Sequence, residues 1–164
     1  MSYTPLYEIF PILAMRENRR ITVSSDTDPL PRGDYDLVEM YCDELDCDCR
    51  RVMFTVMSFQ DKRPVAVIAY GWENKDFYAR WFKRDIDGRK GVCYDNLNKR
   101  DKATVDELKG PCLNSMSPQS KYAKEILRII SGFVITDKMY IERLKKHYAR
   151  FKIKIKRIHK QDAE

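Results

Sequence analysis

The chain has 164 residues, 43% of them hydrophobic and 34% charged, with a formal net charge of +6. That size supports one domain with a sizeable core, and the composition is that of a folded chain rather than a disordered one. The charge excess is local: residues 145–160 hold Lys145, Lys146, Arg150, Lys152, Lys154, Lys156, Arg157 and Lys160 and no acid, which leaves residues 1–144 formally neutral. A general affinity for polyanions is therefore excluded.

Taken in chain order, the apolar run at residues 6–15 is broken by Glu8 and Pro11 and has no basic stretch before it. It fits neither a signal peptide nor a membrane span. Residues 16–34 read as a polar approach punctuated by turn residues, among them Asp26-Thr27-Asp28-Pro29 and Pro31-Arg32-Gly33. Runs rich in strand formers follow at residues 35–42, 51–59 and 64–72, the last two separated by a connection of hairpin length. They predict a small antiparallel β-meander over about residues 35–72.

Helices are expected to cover it. Asn74 caps a segment over about 74–83, with Phe77 and Trp81 on the face that would pack on the sheet. Residues 84–116 read as irregular. Ser117 as cap and Pro118 in the first turn predict a helix over about 118–133, with an apolar stripe through Tyr122, Ile126 and Ile130. A last helix over about 137–152 turns Tyr140, Ile141, Leu144, Tyr148 and Phe151 inward. The alternation at 152–158 fits helix and strand equally well. The fold class is thus α+β in a single domain spanning 1–164, with a basic C-terminal tail over about 152–164.

The chemical signal is Cys42-Asp43-Glu44-Leu45-Asp46-Cys47-Asp48-Cys49, followed by Arg50 and Arg51. Extended, Cys42 and Cys47 would stand ~16 Å apart, so the thiols converge only if the acidic, turn-prone segment folds into a knuckle. Cys-x4-Cys-x-Cys supplies three soft ligands for a structural zinc, which needs a fourth. His147 is the preferred candidate, because it lies beside the buried stripe of the last helix; Cys112, Cys93 and His159 are the alternatives. Arg50 and Arg51 would offset the negative charge of the thiolates and carboxylates. Clustered cysteines without an export signal point to a cytoplasmic protein with metal ligands or redox thiols rather than disulfides.

Together the residues describe a zinc-binding interaction module of unknown molecular function. One alternative is a nucleic-acid-associated protein using the basic C-terminal segment, whose blander role is the solvated face of a helix. Others are a redox-sensing dithiol, or a zinc enzyme with an open metal position and Asp46 or Glu44 as base. Hydrolase elbows, P-loops and His-Glu-x-x-His are absent, so no catalytic residue is assigned.

The stretch Tyr41-Cys42-Asp43-Glu44-Leu45-Asp46-Cys47-Asp48-Cys49-Arg50-Arg51-Val52 resembles a motif of a family of uncharacterised bacterial proteins. Further matching pieces are Pro31-Arg32-Gly33-Asp34-Tyr35, Pro118-Gln119-Ser120, and Tyr140-Ile141-Glu142-Arg143-Leu144 running into His147-Tyr148. The resemblance spans about residues 11–152 and implies a cytoplasmic bacterial protein. It makes the cysteines and His147 parts of one pattern and brings no activity with it.

Overall fold

The computed structural model describes residues 2–26 and 30–162. Residues 27–29 of the predicted turn and 163–164 of the predicted tail lie outside the described residues. Among the described residues six strands form one antiparallel sheet: β1 (Tyr3–Pro5), β2 (Arg19–Val23), β3 (Gly33–Cys42), β4 (Arg51–Ser58), β5 (Arg63–Gly71) and β6 (Cys112–Leu113). The helices are α1 (Leu6–Ile9), α2 (Pro11–Arg16), α3 (Lys75–Phe82), α4 (Lys99–Lys109), α5 (Ala123–Ile129), which runs into a π turn at Ile130–Val134, and α6 (Lys138–Asp162). The architecture is α+β, with helices packed on a sheet, as the sequence predicts.

The sheet order is β1-β3-β4-β5-β6, and β2 also pairs with β3. Strand alternation decides which side chains enter the core. On β3, Tyr35, Leu37, Glu39 and Tyr41 are buried while the residues between them are partly exposed. Val52, Phe54 and Val56 of β4 join them, with Val65, Ile68 and Tyr70 of β5. From the helices come Ala123 and Ile126 of α5 and a stripe on α6, Tyr140, Leu144, Tyr148, Phe151 and Ile155, spaced three and four residues apart. Ring contacts fix the register of α6 on the sheet: Tyr41 lies 5.9 Å from Tyr148 and 5.6 Å from Phe151, and Phe54 stacks on Tyr140 at 6.4 Å. Burying a side chain of this size contributes ~1.5–3 kcal/mol each.

Residues 152–158, whose alternation fits helix and strand equally well, are helical, a continuation of α6 that keeps Ile155 in the core. Several expectations give way. Residues 84–116 contain α4, and residues 16–34 contain β2. The predicted helix at 118 starts at Ala123 instead. Ser117 and Pro118 belong to a loop whose next residues close the edge of β5. Gln119 exchanges two hydrogen bonds with the Val67 backbone at 3.0 and 2.9 Å, and the Ser120 hydroxyl donates to the Val65 carbonyl at 2.6 Å. On α3 the buried pair is Tyr78 and Ala79, which pack with Val105 of α4 in a second small core, rather than Phe77 and Trp81 against the sheet.

Gly110 ends α4 at φ 62°, and a Cβ there would collide with the backbone carbonyl oxygen of Ala69. Neither the left-handed conformation nor a backbone neighbour yields cheaply. Gly110→Ala is expected to lower stability by about 2 kcal/mol or more, read from a urea melt. A loss within error of zero would show that this turn relaxes freely.

Candidate metal centre

The connection between β3 and β4 folds as the knuckle its sequence requires. β3 ends on Cys42, a turn at Leu45-Asp46 is closed by the Cys47 N–H donating to the Glu44 carbonyl at 3.3 Å, and Cys49 directs the chain back toward β4. Arg50 takes a left-handed conformation, φ 48°, to complete the reversal. The result is that the sulfurs of Cys42, Cys47 and Cys49 lie within 4.8 Å of one another. Cys42 and Cys49 are fully buried and Cys47 is half-buried.

Neighbouring elements hold the knuckle from three sides. From the N-terminal segment, Thr4 of β1 and Ser2 just before it donate hydroxyl hydrogen bonds to Asp43 at 2.7 and 3.1 Å. From α6, Lys152 donates to the carbonyls of Glu44 at 2.5 Å and Cys42 at 3.3 Å, and the Tyr148 hydroxyl reaches Asp48 at 3.4 Å. From α3, the Tyr78 hydroxyl donates to the Arg50 carbonyl at 2.8 Å. The Arg50 guanidinium pairs with Asp48 at 2.9 Å and Glu73 at 3.2 Å and lies over the Phe77 ring at 4.7 Å. Arg50 therefore balances carboxylates, as expected of it. Arg51 instead donates to the Tyr3 hydroxyl at 3.4 Å.

The thiols share protons unequally. A hydrogen bond from the Cys49 thiol, outweighing burial, brings Cys42 down to about 6, and Cys47 is lowered by the same donor. Cys49 is raised because it donates to both and is buried. Burial also pushes the Tyr3, Tyr78 and Tyr148 hydroxyls up, so they remain protonated beside the sulfurs.

The structure brings the three cysteines together and does not bring His147 to them. His147 is buried between two carboxylates: Nδ1 is 2.6 Å from Glu39 Oε2 and Nε2 is 2.9 Å from Glu17 Oε2. Both ring nitrogens are thus engaged, and the Tyr41 hydroxyl donates to the same Glu39 oxygen at 2.8 Å. Burial alone would lower the pKa of His147, but its two carboxylate partners outweigh that and raise it. Glu39 was missed by the sequence reading, although the in–out alternation of residues 35–41 places it on the core face. Of the other candidate ligands, Cys112 donates to the Glu107 carbonyl at 3.3 Å, and Cys93 precedes a short 3-10 turn. His159 lies on the same cavity wall as Asp43, Glu44 and Leu45, closer to the knuckle region than its place in the sequence suggests. Among the described residues no fourth His, Cys, Asp or Glu joins the three sulfurs. The basic residues Lys146, Arg150, Lys154, Lys156, Arg157 and Lys160 occupy the exposed side of α6.

Comparison with protein-family models, with curated proteins and with solved structures found no match. Among the described residues, no helix is long and apolar enough to cross a membrane.

Proposed function

We propose that the chain is a cytoplasmic, metal-stabilised interaction module in which Cys42, Cys47 and Cys49 hold a zinc ion. The observation that carries this reading is the convergence of three sulfurs within 4.8 Å at the end of two adjacent strands. Soft thiolates in this number suit zinc, and the ion would fasten the β3–β4 connection. A zinc ion on three thiolates carries one net negative charge, with Lys152 and Arg50 nearby to offset it. Tetrahedral zinc needs a fourth ligand, which on this reading comes from water or from a partner molecule, and that open position is what makes the module suited to interaction. The same reading places the chain with the bacterial family that its cysteine motif resembles.

Metal analysis of protein purified without added zinc tests it. Roughly one equivalent is expected in the wild type, lost in Cys47→Ser and kept in His147→Ala. Cobalt substitution should give the intense near-ultraviolet band of thiolate ligation. Protein that arrives metal-free, with a Cys42–Cys49 or Cys42–Cys47 disulfide detected by mass, would replace this reading with the redox one.

A further inference from the structure

On the opposite face of the sheet, Arg51 stands out as a buried cation that no carboxylate among the described residues pairs with. It is the first residue of β4, and alternation against the core residues Val52 and Phe54 turns it to the other side. Only 7% of it is exposed. Its Nη1 donates to the Tyr3 hydroxyl at a long 3.4 Å, and its Nε is buried with no hydrogen-bond partner. Among the described residues no carboxylate forms an ion pair with it. A buried charge is retained at a cost unless something pairs with it, and the edge of a guanidinium is shaped to take a carboxylate through two parallel hydrogen bonds.

Arg51 lines a cavity of about 460 Å³ between the sheet, α4 and the segment after β6. That volume matches a small organic ligand. Met53, Leu108 and Leu113 supply apolar wall. The other charged group on the lining is Glu107, whose side of α4 is exposed and which disfavours a multiply charged anion. We propose that this cavity binds a small organic monocarboxylate, its carboxylate on the Arg51 guanidinium and its apolar body against Met53 and Leu108. The proposal does not depend on the metal reading of the cysteines.

Fluorine NMR of 4-fluorobenzoate with the full chain tests it, using 4-fluorobenzylamine as the comparison. Saturable binding of the acid and none of the amine is expected, weakened about tenfold or more in Arg51→Met. Thr104→Trp fills the cavity from α4 and leaves Arg51 in place, so it should abolish binding; Glu107→Gln should strengthen it several-fold. If Arg51→Met does not fold, these two variants decide. The proposal is overturned if the acid shows no saturable binding at millimolar concentration, if the amine binds equally, or if Thr104→Trp still binds. It is likewise overturned if Arg51→Met changes only metal retention, since Arg51 would then serve the cysteines.

Discussion

Protein stripped of metal by a chelator, or carrying Cys49→Ser, is expected to melt roughly 8–16 °C below the loaded form. A ligand present ~1,000-fold above its dissociation constant adds about 4 kcal/mol to the folded state, and in a chain of this length each kcal/mol moves the midpoint by about 2–4 °C. The effect is thermodynamic linkage, because the three sulfurs converge only in the folded chain. Cys49 is the sharper substitution, since it is fully buried and sits between the other two thiols and the start of β4. Cys93→Ser, outside the cluster, should leave both the midpoint and its response to chelator unchanged. A chelator that alters neither melting nor thiol accessibility would dismiss the fastener.

The parts of the fold legible in the sequence are those where period and burial agree. The meander announced itself because β3, β4 and β5 alternate strand formers, and α6 because its stripe recurs at helical spacing. β2 did not, because polar pairs hold it on the edge of β3. Arg20 bonds Asp36 at 2.7 Å and Thr22 bonds Asp34 at 2.8 Å on its outer side, and its apolar side is only Ile21 and Val23, both partly buried against the core. α4 carries a single fully buried residue, Val105, and its signals were its ends: Asn98 caps the Asp101 N–H at 2.9 Å, and Gly110 closes it. Ser117-Pro118 imitated a helix start, yet the polar residues after it serve a strand edge. At the site, the turn-prone acids correctly implied a knuckle. His147, the preferred fourth ligand, is held by carboxylates instead of lying with the three sulfurs, for a reason the sequence did contain: an inward histidine and an inward glutamate on facing elements answer each other. Counting inward polar residues on β3 as well as on α6 would have paired them.

That pair sets the second large effect. His147→Ala is expected to cost about 3–5 kcal/mol, the range for removing one partner of a buried ion pair. Glu39, only 6% exposed, would keep the Tyr41 hydroxyl and lose its charged donor. The loss should come mainly from the stranded carboxylate, so replacing both partners with leucine, as Glu39→Leu with His147→Leu, should recover most of it; the Tyr41 hydroxyl retains the Leu144 carbonyl at 3.3 Å. The pH dependence has a definite sign. The folded pKa of His147 lies above its ordinary 6.5, so its contribution is fully present below about pH 6.5 and is lost as pH rises through the folded value. Glu17 is held below its ordinary 4.5, first by its hydrogen bond from His147, so its smaller and solvent-screened share is lost as pH falls instead. Arg143, 3.9 Å from Glu17, adds to that side. The network is therefore best satisfied between about pH 4.5 and 6.5, and the wild-type midpoint should decline through the range above it while that of His147→Ala does not share this slope. Equal slopes in the two proteins, or a His147→Ala loss under about 1 kcal/mol, would show that Glu39 finds another partner and that the histidine is free for a different task.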